Sequence, residues 1–346
     1  MSILFADDFG GYGTNAALLL NGLWGTASCD IQASPDPNDP AGTKTLHFQG
    51  FANEARRPFA VGGVATVGCA LRLWLPSLPN FGSACIRFLD AGNGLQANLY
   101  IIPNGAIGVC VGSYGHGGVV LDETTVPVLT ANAFHHIEFK VVTGGAGSYE
   151  VRVDGTTVLA GDGAMGTAYQ LSLGSGNDYN GTASRIDFIK DLVVWDGSGA
   201  RNNNFLGTVS VVGMTTDSDV SLGWTPSTGA TGWNLLDNSP PNDGVDYLTA
   251  PYPAPDPSIF TLTNLPINVT SVRAMITQTR ARKVDGGDGN LQSSLISSGD
   301  TVDGSDRPIT TAFTYYEDVF ETDPHTGGAW TPASADAAQF KINRTI

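Results

Sequence analysis

Charge and sulfur are scarce in this chain. Only 14% of its 346 residues are charged; four are cysteine, four are methionine and six are glutamate. No C-x-x-C pair occurs among Cys29, Cys69, Cys85 and Cys110, which excludes a zinc knuckle or a dithiol redox motif. Three of them sit inside apolar runs (VGCALRLWL, SACIRFLD, IGVCVGS), where a thiol acts as a small hydrophobe, so free thiols are expected. No apolar run approaches the ~20 residues needed to cross a bilayer. The opening MSILFADDFGGY lacks the basic segment of a secretory leader, so folding in a cytoplasm without membrane insertion is expected. Basic residues number 17 against 33 acidic, a net charge of −16. Apart from the short segment TRARK no basic run or basic–aromatic stripe is present, which argues against nucleic acid as a partner.

What the chain does have is glycine (44 residues), proline (19) and many short runs rich in Val, Thr, Ile, Phe and Tyr between Gly/Asn/Asp/Pro clusters. That is the composition of an all-β protein with many turns. Helix is expected only at 14–21 (TNAALLLN) and as a turn at 332–338 (PASADAA). A first unit over residues 1–198 would open on the strand ILFADDF and close on IDFIKDLVVW. The polar stretch 199–204 would link it to a second unit over 205–346. In that second unit SVRAMITQTRARKV and PITTAFTYYEDVF are long enough to pair centrally. Eight strands in about 140 residues suit a jelly-roll-like sandwich.

Residues 134–161, FHHIEFKVVTGGAGSYEVRVDGTTVLAG, carry the clearest pattern. His136, Glu138 and Lys140 alternate with Ile137, Phe139 and Val141, and Tyr149, Val151 and Val153 alternate with charged neighbours, giving strands with one wet and one buried face. Asp154-Gly155 suits a two-residue hairpin turn. This stretch resembles the signature hairpin of laminin-G-like, concanavalin A-type β-sandwiches. The resemblance implies an N-terminal antiparallel sandwich whose two ends meet. Some sandwiches of that type are glycoside hydrolases with an E-x-D-x-x-E strand, a spacing that puts two carboxylates on one face. None of the six glutamates here matches it, so a glycan hydrolase is disfavoured and no catalytic residue is expected. His135-His136 reads as part of the scaffold.

Binding has more support in the residues. Carbohydrate recognition needs aromatic platforms beside amides or carboxylates, and the turn-borne groups of that type are Tyr114 with His116 and the run Asn177, Asp178, Tyr179. For a cofactor the expectation is none, with calcium the one cation the chain could ligate: Asp285, Asp288 and Asn290 in DGGDGN offer oxygens but lack the Glu that completes an EF-hand loop. Asp and Asn in such turns more often serve turn geometry.

The second half holds W-x-P (Trp224, Pro226), Trp233, the run TRARK (Arg280, Arg282, Lys283) and the tail TYYEDVFETDPHTGGAW ending at Trp330. Together with the N-terminal DDF-x-x-Y, this order resembles structural proteins of tailed-bacteriophage virions that carry a laminin-G-like half. The resemblance implies a non-enzymatic tail or tail-tip appendage made in the host cytoplasm. It would work among other virion proteins, as a homo-oligomer (commonly a trimer) contacting a host surface glycan. Alternatives are a capsid decoration (cement) protein and a carbohydrate-binding, lectin-like module.

Overall fold

The computed structural model describes residues 2–12, 22–49, 53–59, 61–115, 117–174, 186–229, 231–250, 253 and 256–345. The expected helix at 14–21 lies outside them. The chain divides into two compact units, the first built from Met1–Gly10 and Leu23–Val211 and the second chiefly from Val212–Ile346. Both are β-structures with antiparallel pairing throughout.

The strands of the first unit are β1 (Ile3–Asp7), β2 (Thr26–Ala27), β3 (Asp30–Ala33), β4 (Lys44–Gln49) and β5 (Glu54–Pro58). Then come β6 (Thr66–Trp74), β7 (Ser83–Leu89), β8 (Leu95–Ile101), β9 (Ile107–Val111) and β10 (Val119–Glu123). The last five are β11 (Phe134–Val142), β12 (Ser148–Val153), β13 (Thr156–Asp162), β14 (Gln170–Gly174) and β15 (Ile186–Asp196). They form two sheets. One runs β13-β12-β11-β6-β15-β4-β3 with β1 also on β15; the other runs β10-β9-β8-β7-β14-β5-β2. β1 therefore meets β15, as the ILFADDF and IDFIKDLVVW runs suggest. Because side chains alternate across a strand, Leu71, Ile137, Phe139 and Val151 point into the sandwich and meet Ile86, Phe88, Leu99 and Leu171, all buried. Phe88 and Phe139 stack with centroids 5.4 Å apart. Burying each such ring stabilises the unit by about 1.5–3 kcal/mol. The four cysteines are buried and form no disulfide.

In the second unit the strands are β16 (Thr216–Ser221), β17 (Thr225–Pro226), β18 (Leu248–Thr249), β19 (Ser258–Leu262) and β20 (Met275–Ala281). They continue with β21 (Asn290–Ser297), β22 (Asp300–Asp303), β23 (Arg307–Pro308), β24 (Thr314–Phe320) and β25 (Gln339–Arg344). The main sheet runs β16-β19-β25-β21-β22 with β23 on β21. The two long segments do pair, as β20 with β24, but as a separate ribbon and not at the centre of the main sheet. Met275 and Phe320 of the ribbon share a buried cluster with Leu295 of the sheet and with Trp330. The expected turn of helix is present at Pro332–Asp336, where Thr331 accepts from Ser334 N–H and Ser334 reciprocates.

Candidate functional site

The outer face of the first sheet brings together residues that are far apart in sequence. Register alone does this. Phe134 lies opposite Trp74, and Trp74 opposite Phe188, giving an aromatic row across β11, β6 and β15. The next row on the same face is His136, Arg72 and Lys190, and the third is Glu138, Ala70 and Val193. The register shifts between Lys190 and Val193, and Asp191 at this irregularity has φ 55, a left-handed conformation rare for a side-chain-bearing residue.

The hairpin turn is tied down by its aspartate. Asp154 (φ 50) and Gly155 (φ 80) both adopt the left-handed region that a tight turn between twisted strands requires. Asp154 Oδ1 accepts from His136 N–H at 2.9 Å. Its Oδ2 is 2.8 Å from His135 Nδ1, while His135 Nε2 accepts from Thr130 N–H at 3.0 Å. That leaves Nδ1 carrying the ring proton and donating to Asp154. His135 is therefore scaffold, as the sequence suggests.

A second layer crosses this face. Leu206 and Gly207 N–H donate to Glu138 Oε1 at 2.7 and 3.1 Å, and Val211 N–H donates to Asp191 Oδ1 at 2.9 Å. Phe205 is packed under Arg152, whose guanidinium carbon is 3.8 Å from the ring centroid, and lies 6.4 Å from the Trp195 ring. Segment 205–211 is thus a strap anchored on a buried glutamate. Burial raises the Glu138 carboxyl above its ordinary range, against the pull of the two backbone donors.

Beside the strap, the face opens into a depression of about 290 Å³ lined by Arg72, Phe134, His136, Asp154 and Thr208. His136 is 4% exposed, and neither ring nitrogen has a hydrogen-bond partner. Burial, assisted by the Arg72 charge, lowers its pKa to about 4. At neutral pH its ring holds one N–H donor and one acceptor, both nitrogens buried. The Arg72 side chain is 30% exposed and pairs through Nε with Asp191 Oδ2 at 3.5 Å. Lys190 is buried, bound to Asp39, with Nζ 4.3 Å from the Phe134 ring centroid. Asp191, like His136, is shifted chiefly by burial, which raises its carboxyl. The arrangement offers a guanidinium, a neutral imidazole, a hydroxyl and an aromatic ring around one small open volume.

The residues singled out from sequence lie elsewhere. Tyr114 follows β9 and stacks on Tyr100 of the second sheet, with centroids 3.9 Å apart, so one face of its ring is already covered. His116, Asn177, Asp178 and Tyr179 fall outside the described residues. Asp285 Oδ1 accepts from Gly287 N–H at 3.1 Å, closing its own turn, and Lys283 donates to Gly287 O. Asn290 begins β21 and donates to Asp306 at 2.9 Å, while Asp288 is exposed. Among the described residues no group of three or more His, Cys, Asp or Glu is placed to hold a metal ion. Sequence reasoning missed Arg72, Phe134, His136 and Thr208 as neighbours. A lone glutamate between His136 and Lys140 on a wet strand face was the available sign that something is anchored there.

No family model and no curated protein matches the sequence. Among solved structures, Cip1, a cellulose-induced protein, aligns with 59% of this chain and all of its own, at 11% identity and TM-score 0.43. The endo-β-1,4-glucuronan lyase of Trichoderma reesei aligns over 50% of this chain and 90% of its own, at 14% identity and TM-score 0.37. A carbohydrate-binding module, CBM66 of Bacillus subtilis, does so over 50% and 94%, at 10% identity and TM-score 0.34. This set corrects the tail-appendage reading of the sequence. By their names one of these is a polysaccharide lyase, one is a carbohydrate-binding module and none is a virion protein. Similarity this low fixes no activity.

Proposed function

We propose that this protein is a non-catalytic carbohydrate-binding sandwich and that the depression beside the strap is a subsite for one sugar ring. One observation carries the reading: His136 is buried with both ring nitrogens unpaired, in the wall of an open volume it shares with Arg72 and Phe134. A buried polar group without a partner costs about 1–3 kcal/mol, a cost that persists where a ligand supplies the missing bond. A phenyl face takes the apolar face of a sugar while a few placed polar groups fix its orientation. At about 290 Å³ the volume is at the lower end of small-molecule sites, which suits one ring of a longer chain. Asp154, the carboxylate in the wall, has both oxygens engaged by the hairpin, so binding without turnover is the chemistry that fits.

The test is a glycan array probed with the full chain, followed by calorimetric titration of the best ligand. Phe134→Ala is expected to weaken binding about tenfold or more, equivalent to ~1.4 kcal/mol. Absence of binding to every glycan would refute the proposal, and release of new reducing ends from a bound polysaccharide would refute its non-catalytic part.

A further inference from the structure

We infer that the sugar held in this depression carries a carboxylate, and that the Arg72 guanidinium reads it. The inference rests on the glycan-binding reading above and narrows it to a ligand class. It follows from which hydrogen-bonding groups in the wall are already used. Asp154 accepts through both oxygens. Asp191 accepts from Val211 N–H and faces Arg72 Nε, and Lys190 is committed to Asp39. Among the described residues nothing bonds the two terminal nitrogens of Arg72, and nothing bonds the His136 ring. The unused capacity is therefore mostly donor: the outer edge of the guanidinium, one imidazole N–H and the Thr208 hydroxyl. A surplus of donors is complementary to an acceptor-only group. The outer edge of a guanidinium presents two parallel N–H bonds, which match the two oxygens of a carboxylate. A neutral sugar hydroxyl would fill one of those positions and leave the other unmatched. Phe134, which carries Lys190 Nζ over one ring face at 4.3 Å, supplies the apolar part of the wall on the adjacent row.

The experiment uses the full chain and calorimetric titration with tetrasaccharides of glucuronate, mannuronate and galacturonate, each paired with its carboxyl-reduced counterpart and with a sulfated neutral tetrasaccharide. At least one uronate is expected to bind, with its reduced form at least tenfold weaker. In Arg72→Gln the difference should disappear, and Arg72→Lys, which keeps the charge but loses the fork, should retain part of it. Both variants are checked for wild-type thermal unfolding. Reduced forms that bind as well as the uronates would overturn the inference and leave the glycan-binding reading standing, as would Arg72→Gln weakening both forms alike. Tighter binding of the sulfated sugar would overturn the carboxylate assignment. Binding of none of these probes, nor of any glycan on the array, would remove both.

Discussion

His136 is buried and held neutral at neutral pH. Its pKa of about 4 against an ordinary 6.5 has a defined consequence for stability. The unfolded chain takes up the proton more readily, so stability is full above pH 6.5 and is lost as pH falls towards 4. Discounted for solvent screening at the mouth of the depression, the loss is on the order of 2 kcal/mol. His136→Leu should abolish this share of the pH dependence, measured as urea midpoints of the two proteins between pH 7.5 and 4. At pH 7.5 the same variant should be as stable as the wild type or about 1 kcal/mol more so, because it removes an unpartnered buried group. It should also bind no glycan. Asp154 behaves oppositely. Asp154→Ala removes two hydrogen bonds and places a methyl-bearing residue at φ 50, and should lower stability by about 1–3 kcal/mol in the same denaturation assay.

Among the elements, the hairpin of β11 and β12 was readable because alternation, a Gly-rich turn and Asp-Gly all point to one structure. In the second unit Arg280 pairs with Asp243 at 2.8 Å, while Arg282 rests over Phe313. The depression was not readable. Arg72 reaches His136 only through the β6–β11 register, and Lys190 joins them through β15, whose register slips just beyond. Neither fact has a local signature, since both the β6–β11 and the β6–β15 pairings join residues far apart in sequence. The strap was hidden for another reason. NNNFLGTV has the composition of a linker, and its attachment is made by backbone N–H groups that any sequence supplies. If Glu138 is its anchor, Glu138→Ala should speed hydrogen exchange at the Leu206 and Gly207 amides tenfold or more and leave the amides shared by β6 and β11 protected. Unchanged protection at 206–207 would show that Phe205 packing alone holds the strap.

For the molecule as a whole, recognition is assigned to the first unit, so damage confined to the second offers a control. Trp330 is buried, donates from Nε1 to Phe320 O at 2.9 Å and shares a core with Met275, Leu295 and Phe320. Trp330→Ala should destabilise its own unit by about 3–5 kcal/mol, read as a lowered unfolding transition in calorimetry. Glycan affinity measured below that transition should be unchanged. The net charge of −16 makes the local setting of Arg72 matter, because an acidic sugar would find its complement in that guanidinium and not in the surface at large. The most direct measurement is a crystal structure of the full chain with its best-binding oligosaccharide. The expected result is one sugar ring over Phe134, with its oxygens within hydrogen-bond distance of Arg72 and His136. A glycan seated elsewhere, with the His136 nitrogens still unpartnered, would contradict the assignment of this site.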